Sequence, residues 1–176
     1  MGFLHKFSGG LEFGLGSGND AEDFGTTGTV RTFTALFMCR DRHKFGNIFS
    51  EDIRAGYFLW DSNLSNITYL QGHVTAEPRK DLRTTLALTK IWTTEDVFNG
   101  RGPVPLWDWS SGASTSQTKT DDVGWEVDLN FEFPILKRLD GFINLGYFVP
   151  GDVYQQSDGE DADPAFEFIL GSEFKF

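Results

Sequence analysis

The chain has 176 residues and a formal net charge of −11, with a sequence pI near 4.6. That is the length of one ordinary domain, and the acidic balance leaves no basic stripe to replace phosphate counterions, so nucleic acid is not an expected partner. Mean hydropathy is −0.30 and no run of about 18 apolar residues occurs. This excludes a membrane-crossing helix, but not strands of about 9–11 residues in which every second residue is apolar.

The 18 Phe, 5 Trp and 20 Gly suit such strands, with aromatic girdles outside and small residues inside. The single Cys39 excludes an internal disulfide and any cysteine-rich metal or haem site. Met1 runs directly into Gly2-Phe3-Leu4-His5-Lys6, with no basic, apolar and cleavage regions of a secretion leader. The expectation is a leader replaced by a start Met, or further chain upstream.

Taken in chain order, the amphipathic stretches alternate with period two. Over Leu4–Gly16, Phe7, Leu11, Phe13 and Leu15 share a face opposite Ser8, Gly10, Glu12 and Gly14. Ser17–Ser62 is ambiguous: it holds two more strands near Thr29–Phe37 and Phe49–Trp60, or it is one long loop. Asn63–Glu77 sets Leu64, Leu70, Val74 and Ala76 against Gln71, His73, Thr75 and Glu77. Pro78-Arg79-Lys80-Asp81 reads as a tight turn, after which Leu82, Leu86, Leu88 and Trp92 oppose Arg83, Thr85 and Thr89.

Gly124–Phe133 alternates most cleanly, with Trp125, Val127, Leu129, Phe131 and Phe133 on one face and Glu126, Asp128, Asn130 and Glu132 on the other. Pro134 is expected to stop that strand, with Ile135–Gly141 as the next turn. Phe142–Val149 then returns with Ile143, Leu145, Tyr147 and Val149 outward. In Ala165–Phe176, Phe166, Phe168, Leu170, Phe174 and Phe176 oppose Glu167, Gly171, Glu173 and Lys175.

Turns near 78–81 and 134–141 are short, whereas 17–62, 93–123 and 150–164 are long. Outer-membrane barrels have short periplasmic turns and long external loops. The expected fold is therefore all-β: an antiparallel up-and-down transmembrane β-barrel occupying 1–176 as one domain. It has about eight strands here, or supplies the C-terminal strands of a larger barrel. The terminal Gly171-x-x-Phe174-x-Phe176 resembles the assembly signal of bacterial outer-membrane barrels. That resemblance implies a Gram-negative outer membrane, a periplasmic C-terminus, and the lipid and barrel-assembly machinery as partners. A second chain completing the barrel, or a partner complex, is the further alternative.

Leu4-His5-Lys6-Phe7-Ser8-Gly9-Gly10-Leu11-Glu12-Phe13-Gly14-Leu15-Gly16-Ser17-Gly18-Asn19-Asp20, then Thr32-Phe33-Thr34-Ala35-Leu36-Phe37 and Arg42-His43-Lys44-Phe45-Gly46, resemble the later part of the alginate-export family of porins. The resemblance implies the strands of a large single-chain barrel and an Arg-rich lumen for a polyanion. Here the expected lumen positions are Glu12, Glu126, Asp128, Asn130, Glu132 and Glu167. Lumen charge sets selectivity, so passive passage of cations or neutral solutes is expected rather than of alginate. The alternative is a non-conducting barrel serving as anchor, adhesin or scaffold, since side chains can fill a barrel of about eight strands.

No catalytic site, cofactor or metal site is expected. His5, His43 and His73 lack metal-ligand spacing, and no Gly-x-Ser-x-Gly nucleophile motif occurs. The acidic stretches Asn19–Asp23 and Asp158–Asp163 lack the spaced calcium-loop pattern and read as solvated loops. Trp107-Asp108-Trp109 reads as an interfacial anchor or a loop plug.

Overall fold

A computed structural model describes residues 6–20, 31, 45–49, 64–99, 118–155 and 159–176. These form strands β1 (Lys6–Leu15), β2 (Ile67–Arg79), β3 (Leu82–Phe98), β4 (Lys119–Leu136), β5 (Leu139–Pro150) and β6 (Ala165–Phe174), with one 3-10 turn at Asp152–Tyr154. All six lie in one antiparallel sheet in chain order, with β1 and β6 at its two ends. The all-β, up-and-down architecture is the one expected. The two further strands expected near Thr29–Phe37 and Phe49–Trp60 fall, apart from Arg31 and Phe49, outside the described residues.

The alternation seen in the sequence places side chains as a pleated sheet requires. Along the β4–β5 ladder, Val127 faces Tyr147, Leu129 faces Leu145 and Phe131 faces Ile143, all on one face. That face continues through Phe13 and Leu70 on one side and Phe166, Phe168 and Leu170 on the other. It has no covering layer among the described residues: Leu11 is 82% exposed and Phe166 68%. The opposite face, here called inner, carries Glu12, Gln71, Thr89, Glu126, Asp128, Asn130 and Asn144.

Three of the connections between strands differ from the sequence reading. β4 does not stop at Pro134 but runs to Leu136, and the turn shrinks to Lys137-Arg138. The β3 ladder has already ended at Arg83↔Glu132, so Pro134 has one neighbouring strand and its missing N–H removes at most one ladder bond. β2 likewise continues through Pro78, which sits at a register shift between Ala76 and Arg79, leaving Lys80-Asp81 as the turn. The loop expected over 93–123 narrows to 99–118, because β3 and β4 extend past it.

One irregularity turns side chains over. Ile91 pairs with Gly124 and Trp92 with Asp122, so Val123 is an extra residue in β4, a β-bulge. Gly124 has φ +137°, a conformation that costs a residue with a Cβ. Beyond the bulge the pattern shifts: Val123 is fully buried, while Asp122 pairs with Lys90, whose ammonium also lies 5.0 Å from the centre of the Trp125 ring.

The buried apolar cluster lies at the long-loop end. It joins Phe45, Ile67, Tyr69, Ile91, Val97, Val123, Phe148 and Val153, with Leu64, Phe49 and Tyr154 packed against it. Aromatic contacts knit it together: Phe45 stacks on Tyr69 with ring centres 3.9 Å apart, and Phe148 meets Tyr154 edge-on at 5.9 Å. Toward the short turns the inner face is polar instead.

Candidate functional site

The strand alternation puts Glu126, Asp128, Asn130 and Glu132 at every second position of β4, all facing inward. Residues 45–49 lie across them. Both carboxylate oxygens of Glu126 are used: Oε1 accepts the main-chain N–H of Ile48 at 2.6 Å, and Oε2 that of Phe49 at 2.9 Å. A carboxylate taking two consecutive backbone N–H groups makes charge-assisted hydrogen bonds, stronger than neutral ones. Glu126 is fully buried as a result.

The rest of the seat is amide and hydroxyl chemistry. The Asn47 N–H donates to Asp128 Oδ1 at 3.3 Å, while its side-chain amide donates to Asn130 Oδ1 at 2.9 Å and to the Leu145 carbonyl at 3.0 Å. From β2 and β3, Gln71 Nε2 donates to the Phe45 carbonyl and to Thr89 Oγ1, and Thr89 also donates to the Phe45 carbonyl. Gly46 is required by space: a Cβ there would stand 2.7–2.8 Å from the Glu126 carboxylate atoms. Thus the Phe45 carbonyl and the Asn47, Ile48 and Phe49 N–H groups of the segment all meet partners on these strands.

Below the segment, a cavity of about 450 Å³ lies between Asn47, Glu12 of β1, Asp128 and Asn130 of β4, and Glu167 of β6. A second, about 650 Å³, opens at the short turns between Glu77, Arg83, Glu132, Asp140 and Glu173. Arg83 and Asn144 border both, so the two cavities adjoin along the polar part of the inner face.

The six expected lumen residues all lie on this face, but in different roles. Glu126, Asp128 and Asn130 hold residues 45–49. Glu12 accepts a hydrogen bond from the Tyr69 hydroxyl, Glu132 pairs with Arg83 at 3.5 Å, and Glu167 stays on the cavity wall. Of the terminal motif, Gly171 lies under the Phe142 ring, where a Cβ would collide, and Phe174 meets Phe176 edge-on at 5.3 Å. Phe176 is fully exposed.

Sequence reasoning missed Asn47, Gln71 and Thr89 as parts of the seat. The one signal was Phe45-Gly46, already set apart by its family-like element. Among the acidic stretches, Asp20 pairs with Lys119 at 2.9 Å. Residues 21–23 and Trp107-Asp108-Trp109 lie outside the described residues.

A search of curated proteins finds no match to the chain. The model of one protein family, described as alginate export, matches residues 8–168. That span takes in all of β2 to β5, most of β1, the start of β6 and residues 45–49. The chain belongs to the alginate export family.

Proposed function

We propose that this chain forms the wall of an outer-membrane channel that passes small cationic or neutral solutes along an acid-lined inner face. The observation that carries the reading is the separation of the two faces. Large apolar side chains such as Leu11, Phe13, Leu86, Trp125, Phe168 and Leu170 stand exposed on one face of every strand they occupy, whereas the other face is polar toward the short turns and buries its apolar cluster at the long-loop end. A soluble protein rarely exposes so continuous an apolar patch, and hydrocarbon is the solvent that suits it. Among the described residues no helix is long and apolar enough to cross a membrane, so strands would do the crossing.

Lipid tolerates no open sheet edge, and bacterial outer-membrane barrels have at least about eight strands. Closure therefore takes strands beyond these six, from this chain or from another. In this reading the short turns and Phe176 face the periplasm, where the barrel-assembly machinery engages the last strand. Glu12, Glu167 and Glu132 give the passage its charge, favouring cations over a polyanion.

A second reading has its own support. Residues 45–49 and the apolar cluster fill the inner face at the long-loop end, as a non-conducting anchor or scaffold would require. Planar-bilayer recording of the refolded chain separates them. The channel reading expects discrete conductance steps and a reversal potential of cation-selective sign in a salt gradient. No steps at any voltage would remove it in favour of the scaffold.

A further inference from the structure

We propose that the short-turn rim of the sheet binds the headgroups of anionic phospholipids, through Arg79, Lys137 and Arg138. The proposal rests on reading the outer face as the one that meets lipid, and it names the lipid class at that face's short-turn edge.

Cationic side chains are unevenly divided along the strands. The chain carries a net −11, yet of the ten Lys and Arg among the described residues seven lie at the short-turn end. Three of the seven are taken: Lys6 pairs with Glu77, Arg83 with Glu132 and Lys175 with Asp140. Arg79, Lys80, Lys137 and Arg138 are exposed, and among the described residues no carboxylate forms an ion pair with any of them. At the long-loop end, by contrast, Lys90 and Lys119 are each held by an aspartate.

The acidic side chains of the short-turn end are directed elsewhere. Glu77, Glu132, Asp140 and Glu173 border the cavity of about 650 Å³ on the inner face, as do Lys80 and Asp81, whereas Arg79, Lys137 and Arg138 lie outside it. Arg79 closes β2 opposite Leu82. Lys137 and Arg138 stand beside the apolar edge of the outer face. There the Phe133 and Ile135 side chains cover Gly141, Leu136 is 67% exposed and Phe174 55%. The Lys175 N–H donates to the Arg138 carbonyl at 2.9 Å, which brings the end of β6 against this turn.

A Lys or Arg at the margin of an apolar surface lays its stem on that surface and keeps its charged head in the polar layer. At a bilayer that layer is the headgroups, whose fixed anions are phosphates. Arginine presents a planar fork that meets phosphate oxygens two at a time. In phosphatidylcholine a trimethylammonium cancels the phosphate charge; in phosphatidylglycerol nothing does. Cations next to a membrane-crossing segment are attracted to such anionic lipid, so its charge and its place both match this rim.

The test is electron spin resonance of the full chain reconstituted in phosphatidylcholine vesicles with a trace of spin-labelled phosphatidylglycerol or spin-labelled phosphatidylcholine. Lipid in contact with protein gives a motionally restricted component. Expected is that component with both probes, with phosphatidylglycerol associating about fivefold more strongly, the factor that about 1 kcal/mol per cation supplies. Arg79→Gln, Lys137→Gln and Arg138→Gln together should bring the ratio near one, whereas Lys119→Gln at the long-loop end should leave it unchanged. Salt carries the test if the triple variant fails to reconstitute. About 1 M NaCl, where the screening length is about 3 Å, should reduce the parent's preference at least about twofold. Equal association of the two probes with the parent, or a preference untouched by both the triple variant and salt, would overturn the site and leave the lipid-facing reading in place. So would a loss with Lys119→Gln as large as with the triple variant. No restricted component with either probe would remove that reading and the site with it.

Discussion

Glu126 on β4 accepts the main-chain N–H of Ile48 at 2.6 Å, although 78 residues separate them in the chain. With the second bond to Phe49, one buried carboxylate fixes the segment that narrows the inner face.

Glu126→Gln tests that grip. The amide keeps one acceptor but turns a donor toward the other N–H, and a buried group left unsatisfied costs about 1–3 kcal/mol. Hydrogen exchange over residues 45–49 should accelerate while exchange in the β3–β4 ladder stays slow. In bilayers the variant should conduct more than the parent. Protection unchanged at Ile48 and Phe49 would contradict the role given to Glu126.

Leu129 is the middle of the five outward residues of β4, from Trp125 to Phe133. A lysine there, near the bilayer midplane, should cost about 2–4 kcal/mol. Glu132→Gln, which removes an exposed pair with Arg83, should cost at most about 1 kcal/mol. Urea unfolding from lipid vesicles measures both. Similar values for the two would undo the assignment of faces.

Gly124→Ala combines a backbone conformation that L side chains avoid with a Cβ driven against the Val149 carbonyl oxygen. The expected loss is about 1–3 kcal/mol in the same unfolding experiment. A neutral substitution would mean that the bulge is not held there.

Lys175 lies just past β6 and bonds to the Asp140 carboxylate. That hydrogen bond, with the accompanying attraction, raises its pKa above the ordinary lysine value. Because the folded value is the higher one, the clasp contributes fully up to the unfolded value of about 10.4. It is lost as pH climbs through the folded one. Alkaline NMR titration of the Lys175 side chain should show a midpoint above that of an ordinary lysine, and Asp140→Asn should bring it back. Identical midpoints in the two proteins would refute the clasp.

Much of the sheet was legible because its cause is local: alternation from Trp125 to Phe133 reflects a pleat between two unlike media. The inward direction of Glu126 and Asp128 followed from the same pattern. Their partner did not, since contact between β4 and residues 45–49 is set by tertiary folding and leaves no period in the sequence. Pro134 misled for a related reason. A proline ends a strand flanked on both sides, and nothing local says that the ladder to β3 has already finished. Glu126, expected as a water-facing charge, is instead consumed by two backbone N–H groups.

The central claim, that one face of this sheet meets lipid and the other does not, is tested most directly by spin labels scanned through β4. Single cysteines at positions 127 to 132 would be placed in a Cys39→Ser background and reconstituted in vesicles. The account predicts high oxygen accessibility at Val127, Leu129 and Phe131, and low values at Asp128, Asn130 and Glu132. Accessibility that fails to alternate with period two, or that is unchanged when lipid is withheld, would contradict it.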